Sequence, residues 1–141
     1  MKDVIEELAR SAVHCGLAIH RDLGPGLLES YYELLLAHAL SQAGLRVERQ
    51  KQISVKYNGL ELTDVFRADL VVEGQLLIEL KSVEKLVPVH SKQVLTYLRL
   101  LNLPLGLLMN FGAATFKEGT HRILNVRADT SKIDVRPGIA R

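Results

Sequence analysis

The clearest chemistry in the sequence is carried by two acids and a lysine, Asp69, Glu79 and Lys81, set in the stretch VFRADLVVEGQLLIELK from Val65 to Lys81. Carboxylates from neighbouring strands on one sheet face lie roughly 5 to 8 Å apart at Cβ. That spacing suits a hard cation held by oxygen. A lysine two residues beyond the second acid points to the same place, so an aspartate followed by Glu-x-Lys describes a site for a Mg²⁺-type ion with an amine beside it. Such a site can orient a water and offset charge on a phosphate. The plainer reading is the solvated polar face of an amphipathic hairpin, because short motifs of this kind recur by chance.

The turn between the two runs decides whether the acids meet. Ala68, Leu70 and Val72 alternate with Arg67, Asp69 and Val71, and Leu76, Ile78 and Leu80 alternate with Leu77, Glu79 and Lys81, as two strands with one core face each would. A two-residue loop at Glu73-Gly74 pairs Asp69 with Ile78 and sends Asp69 and Glu79 to opposite faces, because a one-residue slip reverses every side chain. A loop of three residues, Val72-Glu73-Gly74 with Gly74 supplying a positive φ, brings Asp69, Glu79 and Lys81 to one face. The odd loop is the expectation.

The elements needed to hold these residues can be read from periodicity. Asp3 to about Asp22 has helical apolar spacing at Val4, Ile5, Leu8, Ala12, Cys15 and Ile19, with Asp3 as the N-cap. Gly24-Pro25-Gly26 breaks it, and Leu27 to Ala43 forms a second helix closed by Gly44. The apolar content of that second helix suggests burial on more than one side. Glu29, Tyr32 and Leu36 share a stripe there. Glu29 either complements the helix dipole or adds an acceptor to the acid pair, and Tyr32 is a core aromatic whose hydroxyl needs a partner.

Leu45 to Tyr57 alternates as a first strand, and Asn58-Gly59 is the strongest short hairpin signal in the chain. The strand reaching Asp69 follows, making a three-stranded meander in which Lys51, Lys56 and Arg67 either supply a local basic edge or simply face solvent. Pro88 is placed to start a helix running to about Asn102, with a core stripe at Val94, Leu98 and Leu101. His90, Gln93 and Tyr97 form a second, uncharged polar stripe fit to line a site. Leu105 to Met109 reads as a strand buried on both faces, laid parallel to a meander strand by a right-handed crossover. His121 to Val126 adds an edge strand or short element; nothing is assigned beyond Arg127.

Composition narrows the class. At 141 residues, 48% hydrophobic, the chain suits one domain, expected over 1–126, with 127–141 as a C-terminal tail. The formal net charge of +2 is matched by the tail, where Arg127, Lys132, Arg136 and Arg141 face Asp129 and Asp134. The body is therefore near neutral, and a phosphate-binding surface must be local. A single cysteine, Cys15, excludes an internal disulfide framework and fits a reducing compartment; with His14 and His20 on one helical stretch it makes a poor zinc set. No apolar run approaches a membrane span, and a soluble cytoplasmic protein is expected.

The order of helix, three-stranded meander, helix and strand, with acids at Glu29, Asp69 and Glu79, Lys81 beside them, and Gln93 and Tyr97 on the following helix, resembles the PD-(D/E)XK nuclease superfamily. More narrowly, the sequence is similar to the GxxExxY proteins: Gly26, Glu29 and Tyr32 in GLLESYY meet the naming motif, and FRADLVVEG, IELKSVEKL and the NFG at Asn110 to Gly112 agree in order. The likeness spans roughly Ala18 to Gly112. It implies an α/β restriction-endonuclease-like core, αβββαβ with a mixed central sheet flanked by helices, plus an extra N-terminal helix.

It further implies a metal-dependent nuclease acting on nucleic acid, DNA before RNA, in which Asp69, Glu79 and the main-chain carbonyl of Leu80 hold Mg²⁺ or Mn²⁺ and Lys81 positions or deprotonates the attacking water. Glu29 matches the superfamily's first-helix acid. Gln93-x-x-x-Tyr97 is similar to the motif of the RecB-like exonuclease branch, where those residues align substrate and site. The proline that often precedes the first aspartate is Ala68 here, which leaves the ligand untouched. A homodimer is compatible with cutting two strands, although no segment marks an interface. The rival expectation is a non-catalytic nucleic-acid-binding or partner-docking protein on the same fold; the neutral body and the 5% aromatic content weigh against it.

Overall fold

The computed structural model describes residues 2–126 and 132–135. Two helices open the chain, α1 (Lys2–Leu23) and α2 (Glu29–Gln42), followed by the meander β1 (Val47–Tyr57), β2 (Leu60–Val72) and β3 (Leu76–Lys81). Helix α3 (Pro88–Leu101) leads to β4 (Leu105–Asn110), a single turn α4 (Phe116–Gly119), β5 (Thr120–Leu124) and β6 (Ile133–Val135). The six strands form one mixed sheet in the order β5-β4-β3-β2-β1-β6, with β3 and β4 parallel. This is the αβββαβ arrangement with a helix added at the N-terminus. No described helix is long and apolar enough to cross a membrane.

The sheet separates two cores. Leu8, Ala12, Tyr32, Leu36 and Leu40 of α1 and α2 pack on Leu70, Val72, Leu76, Ile78 and Leu80, with Leu105, Leu107 and Met109 of β4. On the other side Val94 and Leu98 of α3 pack on Ile53, Val55, Phe66, Leu77 and Leu108. All six residues of β4 are buried, because helices cover both of its faces. Gly106 lets α3 approach closely, since a Cβ there would meet Val94 at 3.1 Å.

Local chemistry accounts for the element ends. Asn58 and Gly59 both have positive φ, 49° and 86°, which the tight β1–β2 hairpin requires. Pro88 opens α3, and Asn102 closes it in the left-handed conformation at φ 57°. Asp3 lies within α1, one residue after its start at Lys2, so it is not at an N-cap position. The second helix starts two residues later than its periodicity implies, placing Glu29 in its first turn.

The outer face of α2 also departs from expectation: Leu28, Tyr31 and Leu34 are exposed, so the helix is buried along one side only. Its apolar and polar residues are spread around the helix rather than segregated, which hid which side that is. Beyond Arg127, where the sequence pattern assigns no element, Ile133–Val135 pair antiparallel with Tyr57–Val55. Residues 127–131 and 136–141 of the expected tail lie outside the described set.

Two features of the meander shape the site. The β2–β3 register pairs Val72 with Leu76, Val71 with Leu77 and Leu70 with Ile78. The loop is therefore Glu73-Gly74-Gln75, three residues as expected but one position later than Val72-Glu73-Gly74. Glu73 and Gly74 both take positive φ, 52° and 65°, and Gln75 N–H closes the turn on Val72 O at 2.9 Å.

The second feature breaks the simple alternation of β2. Leu70 and Val72 belong to the α1/α2 core, while Ala68 and Phe66 belong to the α3 core. Opposite them, Val47 packs on the first core and Ile53 on the second. The register is unchanged from Arg49↔Leu70 to Lys51↔Ala68, so the change of side falls between, at Gln50 and Asp69. Gln50 has φ 50°, and this left-handed residue interrupts the two-residue period.

Candidate active site

Asp69 and Glu79 stand opposite one another at the end of the regular β2–β3 ladder, whose last pair is Leu70↔Ile78. Beyond that pair the carboxylates replace the ladder. The Asp69 backbone N–H donates to Glu79 Oε2 at 2.8 Å, and the Leu80 N–H donates to Asp69 Oδ2 at 2.9 Å. Each acid therefore caps the main chain of the other strand. The three-residue turn is what sets them face to face, and a loop of two would have separated them.

Glu79 is 7% exposed. Burial, reinforced by the charge of Asp69, pushes its carboxyl up to about 8, against the lowering effects of the Asp69 amide and Lys81. Asp69 is likewise raised by burial, opposed by its hydrogen bonds from Leu80 and Gln50 and by the charges of Lys81 and Arg67. Two acids are thus held together in a partly dehydrated place with too little positive charge to ionise both comfortably.

Glu29 joins them from the first turn of α2. Its carboxyl is raised by burial and lowered mainly by Lys81, with Asp69 and Glu33 raising it and a hydrogen bond from the Ser82 backbone lowering it. Lys81, the last residue of β3, is half-buried and electrostatically linked to Glu29, Asp69 and Glu79 alike. Its own carbonyl accepts from Phe111 N–H at 2.8 Å.

The polar stripe on α3 divides. Tyr97 stacks on Phe66, with centroids 3.7 Å apart and planes 7° from parallel, and its phenol is raised by burial and then by Glu79 and Asp69. Gln93, one turn earlier, is exposed and takes no part in the hydrogen bonds of the pair. His90 faces the main chain instead: its Nδ1 accepts from Val87 N–H at 3.1 Å, capping the helix start.

The segment after Lys81 is clamped by the end of β4. Buried Asn110 accepts through Oδ1 from Val83 N–H and Gly112 N–H, both at 3.0 Å, and Ser82 Oγ donates to Leu27 O at 2.7 Å. Gly112 passes so near that a Cβ would lie 2.2 Å from Val83 O. Tyr32, fully buried, stacks on Phe111 with centroids 4.6 Å apart; its hydroxyl donates to Gly24 O at 2.5 Å and accepts from Leu27 N–H at 3.2 Å. The tyrosine of the Gly26-Glu29-Tyr32 motif thus shapes the loop that delivers Glu29.

Sequence reasoning missed Glu33, 4% exposed on α2. Its carboxylate accepts from the Gln50 side chain through Oε1 and pairs with Arg49 Nη2 at 3.2 Å through Oε2. Burial raises its carboxyl, Gln50 and Arg49 lower it, and Asp69 raises it. The signal was present in the four-residue spacing from Glu29, which repeats one helical turn. Elsewhere, His20 Nε2 lies 2.9 Å from Ala113 O between the rings of Phe111 and Phe116, a packing role. Lys51 is engaged by Glu48 at 3.0 Å.

Among the described residues no group of three or more His, Cys, Asp or Glu side chains is arranged to hold a metal ion. The donor set on offer is two carboxylates, which fits a hard divalent cation that draws its other ligands from main-chain oxygen and solvent. The crowding of negative charge at Asp69 and Glu79 is the feature such a cation would relieve.

Compared with known proteins, the chain matches the family model of the PD-(D/E)XK nuclease superfamily over residues 6–123. No curated protein and no solved structure gives a significant match. The matched span runs from α1 to β5 and takes in every element that carries the acid pair, and the chain therefore belongs to the PD-(D/E)XK nuclease superfamily.

Proposed function

We propose that this chain is a metal-dependent nuclease of the GxxExxY branch that hydrolyses phosphodiester bonds in DNA. The observation that supports it best is the mutual capping of Asp69 and Glu79 at the point where β2 and β3 part, with Lys81 and Glu29 beside them. Asp69 and Glu79 would hold Mg²⁺ or Mn²⁺. The Leu80 carbonyl would join them, because its N–H points at Asp69 and a strand residue directs N–H and C=O to one edge. When bound, the cation supplies charge neutralisation at the scissile phosphate.

The remaining work falls to the chain. Lys81 positions the attacking water and accepts or relays its proton, and Glu29, electrostatically linked to that amine, holds it over the pair. Tyr97, fixed by its stack on Phe66, closes the pair from the α3 side and limits water there. Gln93, exposed at the rim on the same helix, is available to a phosphate of the bound strand. Cytoplasmic location and a homodimer that presents two sites to two strands belong to the same reading.

Cleavage of single-stranded and duplex DNA and RNA, with and without Mn²⁺, tests the proposal. Asp69→Ala and Glu79→Ala are expected to abolish cation-dependent cleavage, and Lys81→Ala to abolish turnover while retaining Mn²⁺ binding. Full activity of Lys81→Ala would refute its role. Wild-type protein that binds no Mn²⁺ and cuts nothing would leave the nucleic-acid-binding alternative in its place.

A further inference from the structure

Gln50 combines three features that do not belong to an ordinary strand residue. Its φ is 50°, a conformation unfavourable to any side chain with a Cβ and rarer for glutamine than for glycine or asparagine. It sits where the β1–β2 ribbon changes core. Its single amide nitrogen donates to two acids, to Glu33 Oε1 and to Asp69 Oδ1, the latter at 3.3 Å.

The grip on both acids is complete on the protein side. Glu33 is held at Oε2 by Arg49 at 3.2 Å and at Oε1 by Gln50. Asp69 is held at Oδ2 by the Leu80 amide at 2.9 Å and at Oδ1 by Gln50 at 3.3 Å. A carboxylate has about four lone-pair directions, so two hydrogen bonds fix its plane and leave the others free for a cation. An amide is suited to the bridge because it offers two N–H donors from one nitrogen and adds no charge.

We propose that Gln50 is a positioning residue: its amide, anchored on Glu33 and delivered by the left-handed backbone, holds the Asp69 carboxylate in the orientation that receives the cation. Glu33 acts through Gln50 and does not touch the cation. The inference rests on the cation site proposed above. Residues that orient a metal ligand typically change affinity by about 10- to 100-fold when removed.

Glycine at position 50 separates the amide from the backbone, because it accepts the positive φ without strain. Gln50→Gly is expected to fold with an apo melting temperature close to that of the wild type, yet to bind Mn²⁺ about 10-fold or more weakly by calorimetry and to lose kcat with little change in KM for DNA. Glu33→Met keeps the length of the side chain, removes the carboxylate that accepts from Gln50 and leaves the Gln50 backbone untouched, so it serves as an independent probe. It is expected to weaken Mn²⁺ binding too, and Gln50→Gly combined with Glu33→Met should be no weaker than Gln50→Gly alone, since both cut one chain of contacts.

Gln50→Gly binding Mn²⁺ as tightly as the wild type, or losses that multiply in the double variant, would overturn the assignment while leaving the nuclease reading intact. Wild-type protein that shows neither Mn²⁺ binding nor cleavage, with Asp69→Ala as the reference for zero, removes that reading and this inference with it.

Discussion

Replacing Glu79 by glutamine should stabilise the protein in chelator while removing its response to divalent cations. The buried carboxyl of Glu79 is pushed up to about 8 from 4.5 by burial and by Asp69. A folded-state value above the unfolded one means that the folded chain binds the proton more tightly. Stability is then fully present below about pH 4.5 and falls as pH rises towards about 8. The whole window corresponds to on the order of 5 kcal/mol, of which roughly 3 kcal/mol is incurred by pH 7.

Glutamine imitates the protonated acid, and its side-chain oxygen can still accept the Asp69 N–H that Glu79 Oε2 accepts at 2.8 Å. Glu79→Gln is therefore expected to gain up to about 4 kcal/mol at pH 7.5, about 12 °C in Tm for a chain of this size. Its stability should also change less between pH 5 and 8 than that of the wild type. The assay is thermal and urea unfolding in chelator across that range, repeated with Mn²⁺. The cation should raise the wild-type Tm by binding the folded state and leave the variant unmoved. A Glu79→Gln protein less stable than the wild type at pH 7.5 in chelator would refute the account of two mutually repelling buried acids.

Three further outcomes follow from contacts around the pair. Gly112→Ala drives a Cβ to 2.2 Å from Val83 O, so it should cost about 2 to 3 kcal/mol in urea unfolding and weaken activity by moving the segment after Lys81. Tyr32→Phe removes the hydroxyl that links Gly24 O and Leu27 N–H; a loss of about 1 to 2 kcal/mol is expected, read by the denaturation midpoint. Phe66→Ala withdraws the ring stacked at 3.7 Å on Tyr97 and should cost about 3 to 4 kcal/mol while raising KM for DNA.

Much of the site's frame was legible because it rests on local rules. An odd loop at Gly74 sends Asp69 and Glu79 to the same side whichever three residues form it, so parity survived the one-residue displacement to Glu73-Gly74-Gln75. Asn58-Gly59, Pro88 and the unbroken apolar run of β4 named their own structures, since positive φ, a missing N–H and two-sided burial are written in residue type. Tyr32 required a partner for its hydroxyl and has two.

Contacts between distant segments decided the rest. The left-handed backbone at Gln50 has no signature in a glutamine, and only the change of core between Ala68 and Leu70 reveals it. The even spread of apolar and polar residues around α2 could not say that Glu33 lies inward against Arg49 while Tyr31 and Leu34 face out. On α3, a shared stripe sent Tyr97 to Phe66 and left Gln93 in solvent, because the depth of a helical position depends on what packs beside it. Sequence determined which residue types stand in which period; the fold alone determined how far each reaches and what it meets there.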